Sequence, residues 1–217
     1  MGAADRESGE PRLLQPRLLE RSFFLPAPDV VARALLGKLL VRRLPGMAAP
    51  LVGRVTEAEA YFGEGDPAAH AFAGRTSRNA VLWGEPGHAY LYLIYGMHTC
   101  LNVACQSLGE AGCVLIRALE PISGMARMEQ LRGLPASVPL RLLTSGPGRL
   151  CQALALTRAE HNGADLLDPE GPMQLAEDGF EPGAILVTPR IGIRKAAERP
   201  LRFLLADNPC VSGRRVL

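Results

Sequence analysis

The sequence predicts an α+β fold. One domain is built on a curved, largely antiparallel sheet, with a protruding β-hairpin and flanking helices. Three observations carry this. Segments of strand periodicity mostly follow one another directly, with only some helical patterns between them. Two alternating runs, His88 to Tyr95 and His98 to Gln106, are separated only by Gly96-Met97, a hairpin pattern. The chain has 217 residues and no internal repeat, enough for one core.

Taken in order, residues 1–20 are rich in Gly, Pro, Arg and Glu and read as a flexible leader, with the folded domain over 21–217. Asp29 is placed to cap a short helix ending at Gly37. Lys38 to Leu44 reads as a strand. Leu51 to Tyr61 alternates as a second, with Val55, Glu57, Glu59 and Tyr61 on one face. Gly63 to Gly74 is a polar loop carrying His70, and Thr76 to Trp83 fits a short helix. After the hairpin, Cys113 to Leu119 is a strand stopped by Pro121. Gly124 to Leu131 and Gly148 to Leu156 read as helices, the second opened by Pro147. Ala184 to Ile193 and Leu201 to Leu205 read as strands.

Composition narrows the function classes. The formal charge is +2, but its distribution is uneven. Val30 to Arg54 carries Arg33, Lys38, Arg42, Arg43 and Arg54 and no acid, whereas Arg158 is the sole Lys or Arg between Ala155 and Thr188. Such a chain can present one basic face to a polyanion, or simply a solvated surface of mixed charge. Cys100, Cys105, Cys113, Cys151 and Cys210 include no Cys-x-x-Cys and no zinc spacing with His. Free thiols in a reducing compartment, no metal and no cofactor are expected. No run of 18 apolar residues occurs, so no membrane span is expected.

All four tyrosines, Tyr61, Tyr90, Tyr92 and Tyr95, fall within one stretch that also holds Glu57 and Glu59. A carboxylate among stacking rings suits a flat ring whose bond is to be broken, and a nucleobase fits. Glu59 is either paired, exposed, or catalytic. Glu57 and Glu59 stand only about 7 Å apart along one strand by strand rise. A glycosidase pair must flank the scissile bond, so that reading is set aside. Tyr95 at the hairpin tip either wedges into a duplex or caps the core. Arg117 lies in an apolar run and needs a carboxylate or phosphate, or must snorkel out. Ser145-Gly146-Pro147-Gly148-Arg149 before a helix suits an anion, or is an ordinary helix start.

Together these motifs resemble the alkyladenine, or 3-methyladenine, DNA glycosylases, the type without a helix-hairpin-helix. The matching fragments are Arg21-Ser22-Phe23-Phe24, Thr56-Glu57-Ala58-Glu59-Ala60-Tyr61, Ala68-Ala69-His70, Arg78-Asn79 and Tyr92-Leu93-Ile94-Tyr95-Gly96-Met97. They continue through Cys100-Leu101-Asn102-Val103, Val114 to Pro121, Ser145-Gly146-Pro147, Arg190-Ile191-Gly192-Ile193 and Pro200-Leu201-Arg202-Phe203. The resemblance implies a monomeric repair enzyme that flips alkylated or deaminated purines, such as 3-methyladenine and hypoxanthine, out of double-stranded DNA. Lys38 and Lys195 are the only lysines and lie outside the pocket motifs, so a monofunctional enzyme without Schiff-base chemistry is expected. The resemblance also implies Glu59 as general base and Arg117 as holder of the water and the flipped nucleotide. Tyr61, His70 and Tyr92 would stack on the base, with Asn102 against its edge and Leu115 as another pocket-side residue. Tyr95 would fill the gap in the duplex beside Met97, with Arg78 and Arg149 on DNA. A cytoplasmic enzyme at the nucleoid is expected in a bacterium, a nuclear one in a eukaryote. The family's aromatic after Arg-Ile-Gly-Ile is missing from the shorter Arg194 to Arg199 stretch, so the DNA-facing loop differs. The rivals are a non-catalytic nucleic-acid module, which leaves Glu59 without a task, and a small-molecule nucleoside hydrolase, which needs no hairpin wedge.

Overall fold

The computed structural model describes residues 16–94 and 96–213. Among these, nine strands form one curled sheet. They are β1 (Arg17–Leu18), β2 (Leu39–Arg42), β3 (Leu51–Phe62), β4 (Ala89–Ile94), β5 (His98–Ala104), β6 (Gly112–Ser123), β7 (Met173–Glu177), β8 (Ile185–Thr188) and β9 (Arg202–Leu205). The order is β1-β7-β2-β3-β6-β5-β4, and β9 pairs with both β3 and β8. Every pairing is antiparallel. Five helices flank the sheet: α1 (Pro28–Leu35), α2 (Met125–Leu131), α3 (Leu140–Thr144), α4 (Pro147–Ala153) and α5 (Arg158–His161).

The long strands β3 and β6 form the spine, and their pairing is bulged in the middle. Val55 opposes Leu119, Glu57 opposes Ala118, and Ala58 opposes Ile116. Thr56 and Arg117 are therefore each an extra residue without an opposite number. Bulges bend a strand and re-aim its side chains. Two consequences follow. The spine curls, so β3 gives its first half to β2 and its second half to β9. The side-chain alternation also changes phase. Val55 faces the main core with Ala58 and Ala60. The expectation that Val55 shares a face with Glu57, Glu59 and Tyr61 is corrected, because strict alternation does not survive an inserted residue.

The core lies on one side of the sheet, where Val31, Ala32 and Leu35 of α1 and Leu150, Cys151 and Ala153 of α4 pack on Leu91, Leu101, Val103, Val114 and Ile116. Burial of a side chain of this size stabilises the fold by about 1.5–3 kcal/mol. The alternate residues of the same strands face a smaller cluster on the other side, with Tyr90 and Cys113 packed against Ala71, Leu82, Tyr61 and Tyr92. That second face becomes the site.

Several boundaries differ from the expectations. Helix α1 starts at Pro28 with Ala27 as its cap and Asp29 in its first turn, where a carboxylate meets the helix dipole. Strand β6 runs through Pro121, which is tolerated because it opposes Gly53 at a register shift. The helix expected over Thr76 to Trp83 shrinks to a 3₁₀ turn, Ala80–Trp83. The strand expected over Ala184 to Ile193 stops at Thr188. Strand β1 lies inside the expected 1–20 leader, pairing Arg17 with Glu177 and Leu18 with Ala176. The rest of that leader, through residue 15, lies outside the described residues. The five cysteines are buried and unpaired. No described helix is long and apolar enough to cross a membrane.

Candidate active site

Four adjacent strands place a row of side chains across the pocket face. Glu59 of β3 opposes Leu115 of β6, which opposes Asn102 of β5, which opposes Tyr90 of β4. At the usual strand spacing, Glu59 and Asn102 stand about 10 Å apart with Leu115 between them. Above this floor opens a cavity of about 790 Å³. It is lined by Tyr61, His70, Tyr90, Tyr92, Asn102, Leu115 and Arg117 and by the cations Arg78, Arg132 and Arg149.

Glu59 is fully buried and stands behind that lining. Its Oε1 accepts from the backbone N–H of Ile191 at 2.7 Å. Its Oε2 accepts from the Tyr61 hydroxyl at 2.9 Å and from an Arg117 N–H at 3.1 Å. The three residues that touch the carboxylate all line the cavity. Burial pushes the Glu59 carboxyl above the ordinary Glu range, against the opposing pull of Arg117, the Ile191 N–H and Tyr61. A carboxylate oxygen has two acceptor positions, so Oε1, with one protein donor, keeps capacity for a further proton donor.

Arg117 takes its place because the bulge turns it out of the apolar run. Its Nε donates to Glu57 at 2.9 Å and its NH1 to Glu59. Burial lowers its pKa, but the two carboxylates outweigh this and raise it. Glu57 has its acceptor positions filled by protein donors. It accepts from Arg117, from Arg202 at 2.6 Å and from the Ser212 hydroxyl at 2.8 Å, and it also binds the Ser212 backbone N–H. Saturated in this way, it anchors Arg117 from behind.

The rings form one wall. His70 Nδ1 lies 2.9 Å from the Tyr90 hydroxyl, and its ring meets Tyr92 edge-on at 4.3 Å between centroids. Burial, then the charge of Arg78, lowers the His70 pKa, which favours the neutral imidazole. Burial raises the Tyr61 and Tyr92 phenols far above their usual range and Tyr90 to about 12, so all three stay protonated. Asn79 fixes the His70 loop by donating to the backbone oxygens of His70 at 2.9 Å and Gly74 at 3.2 Å.

Asn102 is buried at the cavity floor. Its Nδ2 donates to the Tyr90 carbonyl at 3.1 Å, and the Cys113 thiol lies 3.8 Å from its Oδ1. Arg78 and Arg149 line the cavity. Neither they nor Arg132 joins an ion pair among the described residues. Burial, then the charge of Arg149, lowers the Arg132 pKa. Met97 is 72% exposed at the hairpin tip, away from the cavity wall. Gly96 beside it has φ +72, a conformation that favours glycine. Tyr95 lies outside the described residues. No group of three or more potential metal-ligating residues occurs among the described residues.

Comparison with known proteins now places the chain. The profile of the methylpurine-DNA glycosylase family matches residues 22–209. The chain belongs to this family. It is 53% identical over 205 residues to a protein of Koribacter versatilis provisionally named 3-methyladenine DNA glycosylase, covering 94% of this chain and 98% of that one. A Methanocella arvoryzae protein with the same provisional name is 48% identical over 200 residues, covering 91% and 96%. A third, from Carboxydothermus hydrogenoformans, is 44% identical over 198 residues, covering 90% and 98%. Membership makes this chain a hydrolase of base excision repair with DNA as its substrate.

Several residues that line or support the site of this glycosylase lie outside the expected set. Tyr90 shares the parity of Tyr92 and could have been read from the alternation. Arg132 carried no local pattern pointing to the cavity, and Ile191 stood only within the Arg190-Ile191-Gly192-Ile193 fragment, without a role. Arg190 and Asp66 form a buried pair visible only in three dimensions, with guanidinium–carboxylate distances of 2.6 and 2.8 Å.

Proposed function

We propose that this enzyme holds a damaged purine, turned out of the DNA stack, in the aromatic cavity and hydrolyses its N-glycosidic bond with water activated by Glu59. The observation that carries this reading is the strand row Glu59, Leu115, Asn102. Its last two members line the cavity, while Glu59 lies just behind it, held by the lining residues Tyr61, Arg117 and Ile191. A nucleotide with its sugar carbon at the Glu59 end would lay its purine over Leu115 and its edge against Asn102. Tyr61, His70 and Tyr92 supply ring faces for stacking, which is worth about 1–3 kcal/mol per base.

The reaction would proceed by departure of the base with the electron pair of the C1′–N bond. A cationic alkylated purine leaves as the neutral base, and hypoxanthine leaves as an anion that takes up a proton from solvent. Positive charge develops on the sugar, and the Glu59 anion stabilises it. Water adds to C1′ and passes a proton to Glu59, whose raised pKa brings it closer to working pH as a base. Arg117 keeps the carboxylate oriented, and Glu57 keeps Arg117 in place. The substrates are adenine-derived alkylation products such as 3-methyladenine, and the deaminated purine hypoxanthine. Asn102 excludes guanine by crowding its 2-amino group. Arg78, Arg132 and Arg149 would take phosphates, while Met97 and Tyr95 on the β4–β5 hairpin fill the gap in the duplex. The enzyme acts as a monomer and leaves the abasic strand uncut.

The test is to incubate the protein with duplexes carrying a single hypoxanthine or 3-methyladenine. Free base and an alkali-labile site on an otherwise intact strand are expected. Intact lesions, or strands cut without alkali, would overturn the reading.

A further inference from the structure

We propose that Asp66 and Arg190 form a positioning clamp that sets the orientation and proton affinity of Glu59 through the backbone N–H of Ile191. The inference rests on Glu59 being the base. Neither clamp residue touches the cavity, so neither is a catalytic residue.

The clamp ties together three parts of the site. Both side chains are wholly buried, and the guanidinium grips the carboxylate with both of its ends, NH1 at 2.6 Å and NH2 at 2.8 Å. NH1 also donates to the Ala60 carbonyl at 3.0 Å, between Glu59 and Tyr61. The guanidinium carbon lies 4.5 Å from the centre of the Tyr61 ring, whose hydroxyl donates to Glu59. On its other side Asp66 accepts from the backbone N–H groups of Phe62 and Ala68, each at 3.2 Å, and so fixes the start of the His70 loop. The residue after Arg190 is Ile191, whose N–H donates to Glu59 Oε1 at 2.7 Å.

A buried ion pair is poor evidence for stability, because desolvation offsets its attraction. What it supplies is geometry. A two-pronged guanidinium–carboxylate contact fixes a plane, which a lysine point charge cannot do. Beyond Thr188 the chain leaves the sheet, so no strand ladder holds Ile191 in register. The clamp does that instead.

The experiment measures single-turnover excision of hypoxanthine against pH, at matched folded fraction, for the wild type, Arg190→Lys, Asp66→Asn, Ile191→Pro and Glu59→Gln. The Ile191 N–H favours the Glu59 anion. Its loss raises the Glu59 pKa, so the rate, which requires the anion, appears only at higher pH. Arg190→Lys and Asp66→Asn are expected to lose about 10- to 100-fold in rate, the scale of a small misplacement. Their acid limb should move upward by about one pH unit, and Ile191→Pro, which removes the N–H and leaves the pair, should move it likewise. A rate that falls equally at every pH, with the limb unmoved, would mean a merely structural pair and overturn the proposal. Should the clamp variants not fold, Ile191→Pro decides alone, since an unmoved limb there is equally fatal. Glu59→Gln separates the two readings. If it excises like wild type, the base assignment fails and the clamp with it. If it is inactive while the other limbs stay unmoved, only the clamp fails.

Discussion

Truncating Asn102 to Ala or Ser should relax the choice of base. Adenine-derived lesions and hypoxanthine carry hydrogen at C2, whereas guanine carries an amino group. With its Nδ2 on the Tyr90 carbonyl and its Oδ1 beside the Cys113 thiol, Asn102 cannot swing aside without breaking its own bond. A guanine amino group forced against it would clash and lose its partner, at about 1–3 kcal/mol. That corresponds to about 5- to 150-fold discrimination. Truncation also breaks the bond to Tyr90, at about 1–3 kcal/mol of folding stability, because the buried carbonyl loses a donor. Excision of guanine-type bases and hypoxanthine must therefore be compared as a ratio at matched folded fraction, under single-turnover conditions. The ratio should move toward guanine within that range, with hypoxanthine excision retained. If both activities fall in parallel and the ratio stays fixed, Asn102 only braces the β4–β5 pairing, and the crowding argument is wrong.

Two further outcomes follow from the rest of the site. Borohydride should trap no covalent adduct with lesion DNA, because neither lysine lines the cavity and Lys38 pairs with Glu177 at 2.9 Å; a trapped species would contradict the hydrolytic route. Among the described residues Arg149 makes only a 3.5 Å contact to the Ser145 carbonyl, which leaves its charge available to a phosphate. Arg149→Ala should therefore reduce the slope of log affinity against log salt by about one, and an unchanged slope would remove Arg149 from the DNA path.

The class of fold was legible because β3, β4, β5 and β6 are runs of strand-forming residues with few helical patterns between them, and the hairpin announces itself at Gly96-Met97. The side-chain phase was not. Thr56 and Arg117 are extra residues in a ladder, and nothing in their local pattern marks a bulge, so Val55 was expected on the wrong face. The same bulge answers what the sequence could only ask of Arg117, because it turns the guanidinium onto Glu57 and Glu59. Strand β7 was missed since Met173–Glu177 lies in an acidic, turn-rich stretch, and only its partners β1 and β2 make it a strand. Helices α3 and α5 have five and four residues, too short to show a helical period. Tyr61, Tyr92 and Arg117 stood out from local cues, and His70, Asn102 and Leu115 from the family resemblance; all six line one cavity. The second layer was invisible for the opposite reason. Asp66 and Arg190 lie 124 residues apart and become partners only through the fold.

The central claim is that an anionic, buried Glu59 drives the hydrolysis. Single-turnover hypoxanthine excision by wild type and Glu59→Gln, followed as pH falls, tests it directly. The wild-type rate should decline as Glu59 takes up a proton, with a midpoint above the ~4.3 of an ordinary glutamate, because burial raises this one. Glu59→Gln should bind lesion DNA, turn over at least ~100-fold more slowly, and show no such limb. Wild-type turnover by Glu59→Gln, or the same acid limb in both proteins, would contradict the account.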